Sequence, residues 1–86
     1  MQIKADDKTM QGVYANAMQI THTKEEFVLD FLNLFQPTGT LNARVIVSPG
    51  HLKRMVAVLQ DNLQKYEATF GVVDAAVQRG EIGFRG

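Results

Sequence analysis

The sequence contains no cysteine and has only two prolines in 86 residues. Without cysteine the chain has no disulfide, no thiolate metal site and no cysteine nucleophile. This composition suits a reducing compartment. We therefore expect a cytoplasmic protein that holds no metal and no cofactor.

An excess of charge and a long apolar run are also missing. Nine basic and nine acidic residues cancel, so no global positive field attracts the protein to nucleic acid or to an anionic membrane. No apolar run is long enough to cross a bilayer, and the first residues are too polar for a signal peptide. We expect a soluble chain without membrane contact, in which any anion binding comes from a local patch.

The short chain limits the size of the core. A domain of about 86 residues buries only roughly 60–65% of the surface that its unfolded chain exposes. Because disulfides are excluded, self-association is the simplest additional source of stability. We expect one domain over residues 1–71, followed by a tail of residues 72–86.

Alternating apolar and polar residues predict three strands. Residues 13–22 place Tyr14, Met18 and Ile20 on one side of an extended chain and show no persistent helical spacing. Residues 27–35, "FVLDFLNLF", favour a strand, although their leucines also tolerate a helix. Residues 41–48, "LNARVIVS", alternate again after the turn formers of "QPTGT". Residues 1–12 form a loose lead-in or add a short edge strand through Ile3 and Ala5.

The hydrophobic period changes after residue 48. Apolar residues then recur at intervals of three and four, as Leu52, Met55, Val56, Leu59, Leu63, Tyr66 and Phe70. This spacing predicts one long amphipathic helix that ends at Gly71. The predicted fold class is α+β: an antiparallel meander of three to four strands followed by one long C-terminal helix packed on one sheet face.

Both faces of the predicted sheet carry apolar residues. Strict alternation in the second strand places Phe27, Leu29, Phe31 and Phe35 on one face. The opposite face then carries Val28, Leu32 and Leu34, with Asp30 and Asn33 as polar exceptions. In the third strand, Leu41, Ala43, Val45 and Val47 share one side. A helix of about 22 residues, roughly 33 Å long, covers only one face. The uncovered apolar face needs a partner, so we expect a homodimer or a higher oligomer.

The stretch "VIVSPGHLKR" joins the last strand to the helix. Ser48 suits the helix N-cap, and Pro49 suits the first helical position. His51, Lys53 and Arg54 then place positive charge at the positive end of the helix dipole, which is mildly unfavourable. Either carboxylates such as Asp30 offset this charge in a solvated basic turn, or an anion binds the free amides. The candidate phosphate-binding residues are Gly50, His51, Lys53, Arg54 and Arg44.

The C-terminal tail, "VVDAAVQRGEIGFRG", combines a short helix-compatible stretch with isolated apolar residues. Its alanines and valines are sufficient for a short extra helical turn before Gly80. Ile82 and Phe84 are isolated apolar residues that fit either a disordered tail or docking on a neighbouring subunit.

Three motifs in the chain resemble a known family. They are "YAN" at the first strand, a His-Thr turn before "EEF", and "SPGH" at the start of the helix, in this order within about residues 12–71. The combination resembles the uncharacterised prokaryotic family catalogued as domain of unknown function 3467. The resemblance implies a small cytosolic protein found across bacteria, archaea and their viruses. It implies no established activity and no catalytic residues.

The residues offer little for an enzyme. Catalysis needs a nucleophile with a base, a carboxylate pair or a metal cluster, and the chain offers His22 near Glu25 and Glu26 at a turn, and His51. A solvated hairpin tip explains the turn equally well. We expect no enzymatic activity.

Two classes of binding protein remain. A dimer built from such a sheet and helix is similar to the single-stranded nucleic-acid binders of the Whirly and Pur-alpha kind. In this alternative, Tyr14 would stack on bases while the candidate phosphate-binding residues contact the phosphates. Zero net charge disfavours this alternative. A non-enzymatic binding and assembly module, acting as a homo-oligomer through its uncovered sheet face, needs the fewest assumptions and is the main hypothesis.

Overall fold

The computed structural model describes residues 1–75. Its elements are, in chain order, helix α1 (Asp7–Gln11), strands β1 (Ala17–His22), β2 (Phe27–Phe35) and β3 (Thr38–Val47), and helix α2 (Pro49–Phe70). The strands form one antiparallel sheet with β2 in the centre. The predicted α+β class, with an antiparallel sheet followed by a C-terminal helix, is confirmed. Neither helix in this part of the chain combines the length and the hydropathy that a membrane span requires.

The N-terminal lead-in forms α1 and contains no strand. Asp6 caps the helix, because its Oδ1 accepts a hydrogen bond from the Thr9 amide at 2.7 Å. Hydrogen bonding by Thr9, through its side chain and its amide, lowers the pKa of Asp6. An aspartate cap followed by Asp7 in the first turn favours a helix over extended pairing. Of the two alternatives for the lead-in, the edge strand through Ile3 and Ala5 is therefore wrong.

Strand β1 begins at Ala17, later than predicted. Just before the strand, the Asn16 amide still donates to the Leu32 carbonyl at 2.9 Å. The Asn16 side chain continues the pairing, since its Oδ1 accepts a hydrogen bond from the Leu34 amide at 2.8 Å and its Nδ2 donates to the Leu34 carbonyl at 3.1 Å. Further towards the N-terminus, the carbonyl of Tyr14 accepts a hydrogen bond from Asn42 Nδ2 at 2.6 Å. The segment before β1 is thus anchored to both other strands by asparagine side chains.

Strand β2 has the predicted bounds, whereas a bulge interrupts β3. Phe31 pairs with Ala43 and the next residue, Leu32, pairs with Leu41, which leaves Asn42 as the extra residue. An extra residue reverses the alternation of side chains along the strand. Leu41 therefore lies on the opposite face from Ala43, contrary to the prediction.

Strand β3 starts at Thr38, earlier than predicted, because the turn after β2 needs only Gln36 and Pro37. Gly39 lies within the strand, opposite Leu34. A Cβ at this position would approach Leu34 Cδ2 to 2.7 Å. The glycine therefore makes room for a leucine side chain and is not part of the turn.

The register defines two faces where all three strands pair. We call one the aromatic face, and it consists of Met18, Ile20, His22, Phe27, Leu29, Phe31, Ala43, Val45 and Val47. We call the other the Asp30 face, and it consists of Ala17, Gln19, Thr21, Val28, Asp30, Leu32, Leu41, Arg44 and Ile46. The predicted separation of Phe27, Leu29 and Phe31 from Val28 and Leu32 is confirmed, because β2 contains no extra residue.

The core of the described chain is very small. Leu29, in the centre of the aromatic face, is the one buried apolar residue of residues 1–75, with 4% of its surface exposed. Helix α2 has no buried residue, and among its apolar side chains only Leu52 and Met55 are half-buried. The exposed fraction of its later large apolar side chains lies between 46% at Val56 and 72% at Phe70.

The packing of α2 therefore differs from the prediction that it covers one face of its own sheet. Its apolar side is largely uncovered after the first two turns. The reason is that an amphipathic period marks the side of a helix that needs covering, but not which chain covers it. The helix ends before Gly71 as predicted, and residues 72–75 are not helical. The rest of the tail, including Ile82 and Phe84, lies outside the described residues.

Candidate functional site

The start of α2 is organised by Ser48. Its Oγ accepts a hydrogen bond from the His51 amide at 3.1 Å, and its carbonyl accepts one from the Leu52 amide at 2.9 Å. Pro49 occupies the first helical position, where no backbone donor is needed. The predicted structural role of Ser48 and Pro49 is confirmed.

The candidate phosphate-binding residues of the helix lie together in its first turns. A Cβ at Gly50 would lie 3.7 Å from an Nη atom of Arg54, so the Arg54 guanidinium folds back towards the helix start. The first turn contains no acidic residue. In residues 1–75, none of His51, Lys53 and Arg54 forms an ion pair. The positive charge at this helix end is therefore not offset by a carboxylate of the described chain.

Arg44, the fifth candidate, lies on the sheet and is already paired. Its Nε donates to Asp30 Oδ1 at 2.6 Å and its Nη2 donates to Oδ2 at 2.9 Å, between residues that are opposite each other on β2 and β3. This bidentate hydrogen bonding lowers the pKa of Asp30 and raises the pKa of Arg44. Asp30 thus neutralises Arg44 and not the basic turn of α2.

Tyr14, the candidate for base stacking, lies at a different level of the sheet. Its side chain is 66% exposed, and its carbonyl is held by Asn42. Five steps along β3 separate Asn42 from Val47, where the strand ends. At about 3.3 Å per residue, this distance is roughly 16 Å. The structure does not bring Tyr14 next to the basic turn.

The turn between β1 and β2 holds the other acidic and histidine side chains. Thr23 organises it: its Oγ1 accepts a hydrogen bond from the Glu25 amide at 3.2 Å, and its amide donates to the Glu26 carbonyl at 3.0 Å. The ring of His22 packs against Phe27, with centroids 5.1 Å apart. Within the described residues, no three His, Asp or Glu side chains gather into a potential metal site.

An apolar surface runs along α2. We define the α2 stripe as Val56, Leu59, Leu63, Tyr66 and Phe70, which recur at three- and four-residue spacing on one side of the helix. All five side chains are exposed. Beside the stripe, an open groove of about 300 Å³ is lined by His51, Arg54, Met55, Val58 and Leu59. The basic turn and the apolar surface therefore adjoin.

The three sequence motifs supply hydrogen bonds that shape the backbone. "YAN" contributes Asn16, the His-Thr turn contributes Thr23, and "SPGH" contributes Ser48. Neither Asn16, beyond its place in "YAN", nor Asn42 was among the predicted site residues. The signal for both was the residue type, because asparagine side chains readily substitute for backbone groups. Asn33 differs, since its Oδ1 is buried without a hydrogen-bond partner in the described chain.

Comparisons with known proteins agree with the resemblance. A family model described as protein of unknown function (DUF3467) matches residues 1–75. This match is longer than the motifs indicated, because it includes the lead-in and α1. The comparisons with curated proteins and with solved structures found no match. The chain therefore belongs to the DUF3467 family of proteins of unknown function.

Proposed function

We propose that this chain is a non-enzymatic assembly module that functions as a homo-oligomer. The observation that carries the proposal is the imbalance among its apolar side chains: Leu29 is buried, whereas the whole α2 stripe is exposed. Folding requires enough apolar burial to offset the loss of conformational entropy. A second copy of the chain supplies the burial that the described part of one chain lacks.

The use of the polar side chains supports a role in assembly. Asn16, Thr23 and Ser48 are engaged in hydrogen bonds that fix strand ends, a turn and a helix start. Asp30 and Arg44 neutralise each other on the sheet. The extended uncovered surface is apolar, and proteins bury surfaces of this kind in stable interfaces.

The test is the molar mass of the full chain, measured by light scattering at micromolar concentration. We expect a mass of at least two chains. Leu63→Glu introduces a charge into the α2 stripe and should lower the mass, because an unpaired buried carboxylate is strongly unfavourable. Gln64→Glu introduces the same charge about 100° further around the helix and should leave the mass unchanged. Equal masses for the two variants would refute a role of the stripe.

A second candidate function is the binding of single-stranded nucleic acid. It is favoured by Lys53 and Arg54, which form no ion pair within residues 1–75. Both lie outside the α2 stripe, so they remain accessible when the stripe is covered. Arg44 supports this function less, because Asp30 already neutralises it. Tyr14 would have to stack on a base roughly 16 Å or more from the phosphate contacts.

Fluorescence anisotropy of labelled single-stranded and duplex oligonucleotides over a salt series tests this candidate. The function predicts micromolar or tighter binding of the single strand that weakens as salt is added. The double variant Lys53→Ala/Arg54→Ala should weaken binding more than Lys4→Ala/Lys8→Ala, which removes the same charge near the N-terminus. Absence of binding at low salt would leave the start of α2 as a helix cap only.

A further inference from the structure

Two apolar surfaces of this chain are exposed at least in part, the α2 stripe and the aromatic face. The stripe is about 21 Å long from its first to its last residue. The aromatic face extends over five residues of β2, about 13 Å, and across three strands, about 10 Å. Leu29 is buried in its centre, whereas Met18 and Val45 at its edges are 42% and 43% exposed. The face therefore has room for about two to three turns of the stripe.

Charge distinguishes the aromatic face from the Asp30 face as a docking surface. The aromatic face contains no Asp, Glu, Lys or Arg, and the α2 stripe contains none either. On the Asp30 face, Leu41 and Ile46 are also exposed, but Arg44 lies between them with 57% of its side chain in solvent. A helix placed over these residues would take the guanidinium out of water, which carries a large desolvation penalty. The aromatic face carries no such penalty.

The exposed area of the two surfaces approaches what a stable dimer buries. Aromatic side chains expose roughly 150–250 Å² each when free, and aliphatic ones somewhat less, so the α2 stripe presents on the order of 500 Å². A stable interface buries about 800 Å² per partner. Each protomer contributes both a stripe and an aromatic face to a reciprocal contact, and the exposed edges of the face supply the remaining area.

The reciprocal arrangement also satisfies both surfaces at once. Packing two α2 helices against each other alone would cover the stripes and leave Met18 and Val45 exposed. When two chains exchange helices about a two-fold axis, each stripe packs on the aromatic face of the other chain. Both stripes and both faces are then covered, and the assembly closes at two chains. We infer that α2 of each protomer packs its stripe on the aromatic face of its partner's sheet. This inference rests on the proposed function, because it requires that the chain self-associates.

The absence of cysteine allows a direct test by disulfide cross-linking. One batch of protein carries Val45→Cys on the aromatic face, and a second carries a single cysteine in the stripe, at Leu59, Leu63 or Tyr66 in turn. The batches are mixed, exchanged through denaturant and oxidised, so that a disulfide between the two substitutions forms only between chains. Ile46→Cys is the matched control, since it is the next residue of β3 and lies on the Asp30 face.

We expect the Val45→Cys protein to cross-link with at least one stripe variant, and the Ile46→Cys protein to give less than one tenth of that yield. A preference for Ile46→Cys would assign the helix to the Asp30 face and overturn the inference. Stripe variants that cross-link only among themselves would overturn it in favour of helix–helix packing. In both cases a dimeric mass retains the proposed function, whereas a single-chain mass for the unmodified protein removes the proposed function and the inference together.

Discussion

The sheet and the long helix of this chain are stabilised in different ways. In the sheet, β2 pairs on both sides, and side chains such as Asn16 and Asp30 add hydrogen bonds between strands. In α2, Ser48 stabilises the first turn and Asp61 pairs with Lys65 on the surface, but the apolar stripe is exposed. The comparison teaches that hydrogen bonds within the described chain fix the strand pairing and the helix start, whereas most of its apolar side chains are not buried. The predictions below separate the two regions.

The largest effect is expected in the sheet, for Leu29→Ala. This residue is buried between neighbours on the aromatic face, so its truncation leaves a cavity. We expect a loss of about 2–5 kcal/mol in the free energy of unfolding. Urea denaturation at two protein concentrations measures it. A loss below the range for core truncations would show that the centre of the sheet is not the core.

In the helix, Leu59→Ala should have a smaller effect that depends on protein concentration. The side chain is mostly exposed in the described chain, so it contributes to stability only through an interface. We expect a loss of about 1–3 kcal/mol, the value of burying a leucine side chain. The loss relative to the unmodified chain should be largest at high protein concentration, where the unmodified chain is dimeric, and should shrink on dilution as both proteins become single chains. Identical curves for the two proteins at all concentrations would mean that the stripe is not covered.

The loss of the helix cap should have a smaller effect than truncation in the stripe or in the sheet. Ser48→Ala removes the acceptor for the His51 amide. We expect a loss of about 1 kcal/mol, typical of an N-cap. Ser48→Asp retains an acceptor and should retain the stability. If Ser48→Asp and Ser48→Ala were equally destabilised in thermal or urea unfolding, the cap would not explain the residue.

The smallest effect is expected for the ion pair on the sheet. The hydrogen bond from Arg44 lowers the pKa of Asp30 in the folded chain, so the pair stabilises the fold above the ordinary carboxyl pKa of about 3.9. This contribution is lost as the pH falls through the lowered value. The difference in urea midpoint between the unmodified chain and Asp30→Asn should therefore be present at neutral pH and shrink in acid. A difference that is constant from pH 7 to pH 3 would assign the effect to something other than ionisation.

Local signals in the sequence predicted most of the elements. The bounds of β2, the cap at Ser48, Pro49 in the first helical position and the end of α2 at Phe70 all follow from residue types at fixed places. Helix α1 was missed because an aspartate cap and one short turn give little periodic signal. The bulge at Asn42 was missed because alternation continues on either side of it, so the sequence alone does not reveal the extra residue.

The packing of α2 and the composition of the site depend on three-dimensional neighbours. Asp30 was considered a partner for the basic turn, yet the register places it opposite Arg44. The spacing of the α2 stripe correctly predicted that the helix has an apolar side. The same spacing is expected whether that side packs on the chain's own sheet or on a second copy of the chain. Two sequence signals pointed to a partner: the short, cysteine-free chain, and a predicted sheet with two apolar faces but only one helix to cover them.

The measurement that tests the central claim most directly is sedimentation equilibrium of the full, unmodified chain across the micromolar range. One chain has a mass of 9.6 kDa. The account predicts at least twice this mass, with dissociation only on dilution, because the α2 stripe is covered by a second copy. A mass of one chain at every concentration, in a protein that unfolds cooperatively, would contradict it.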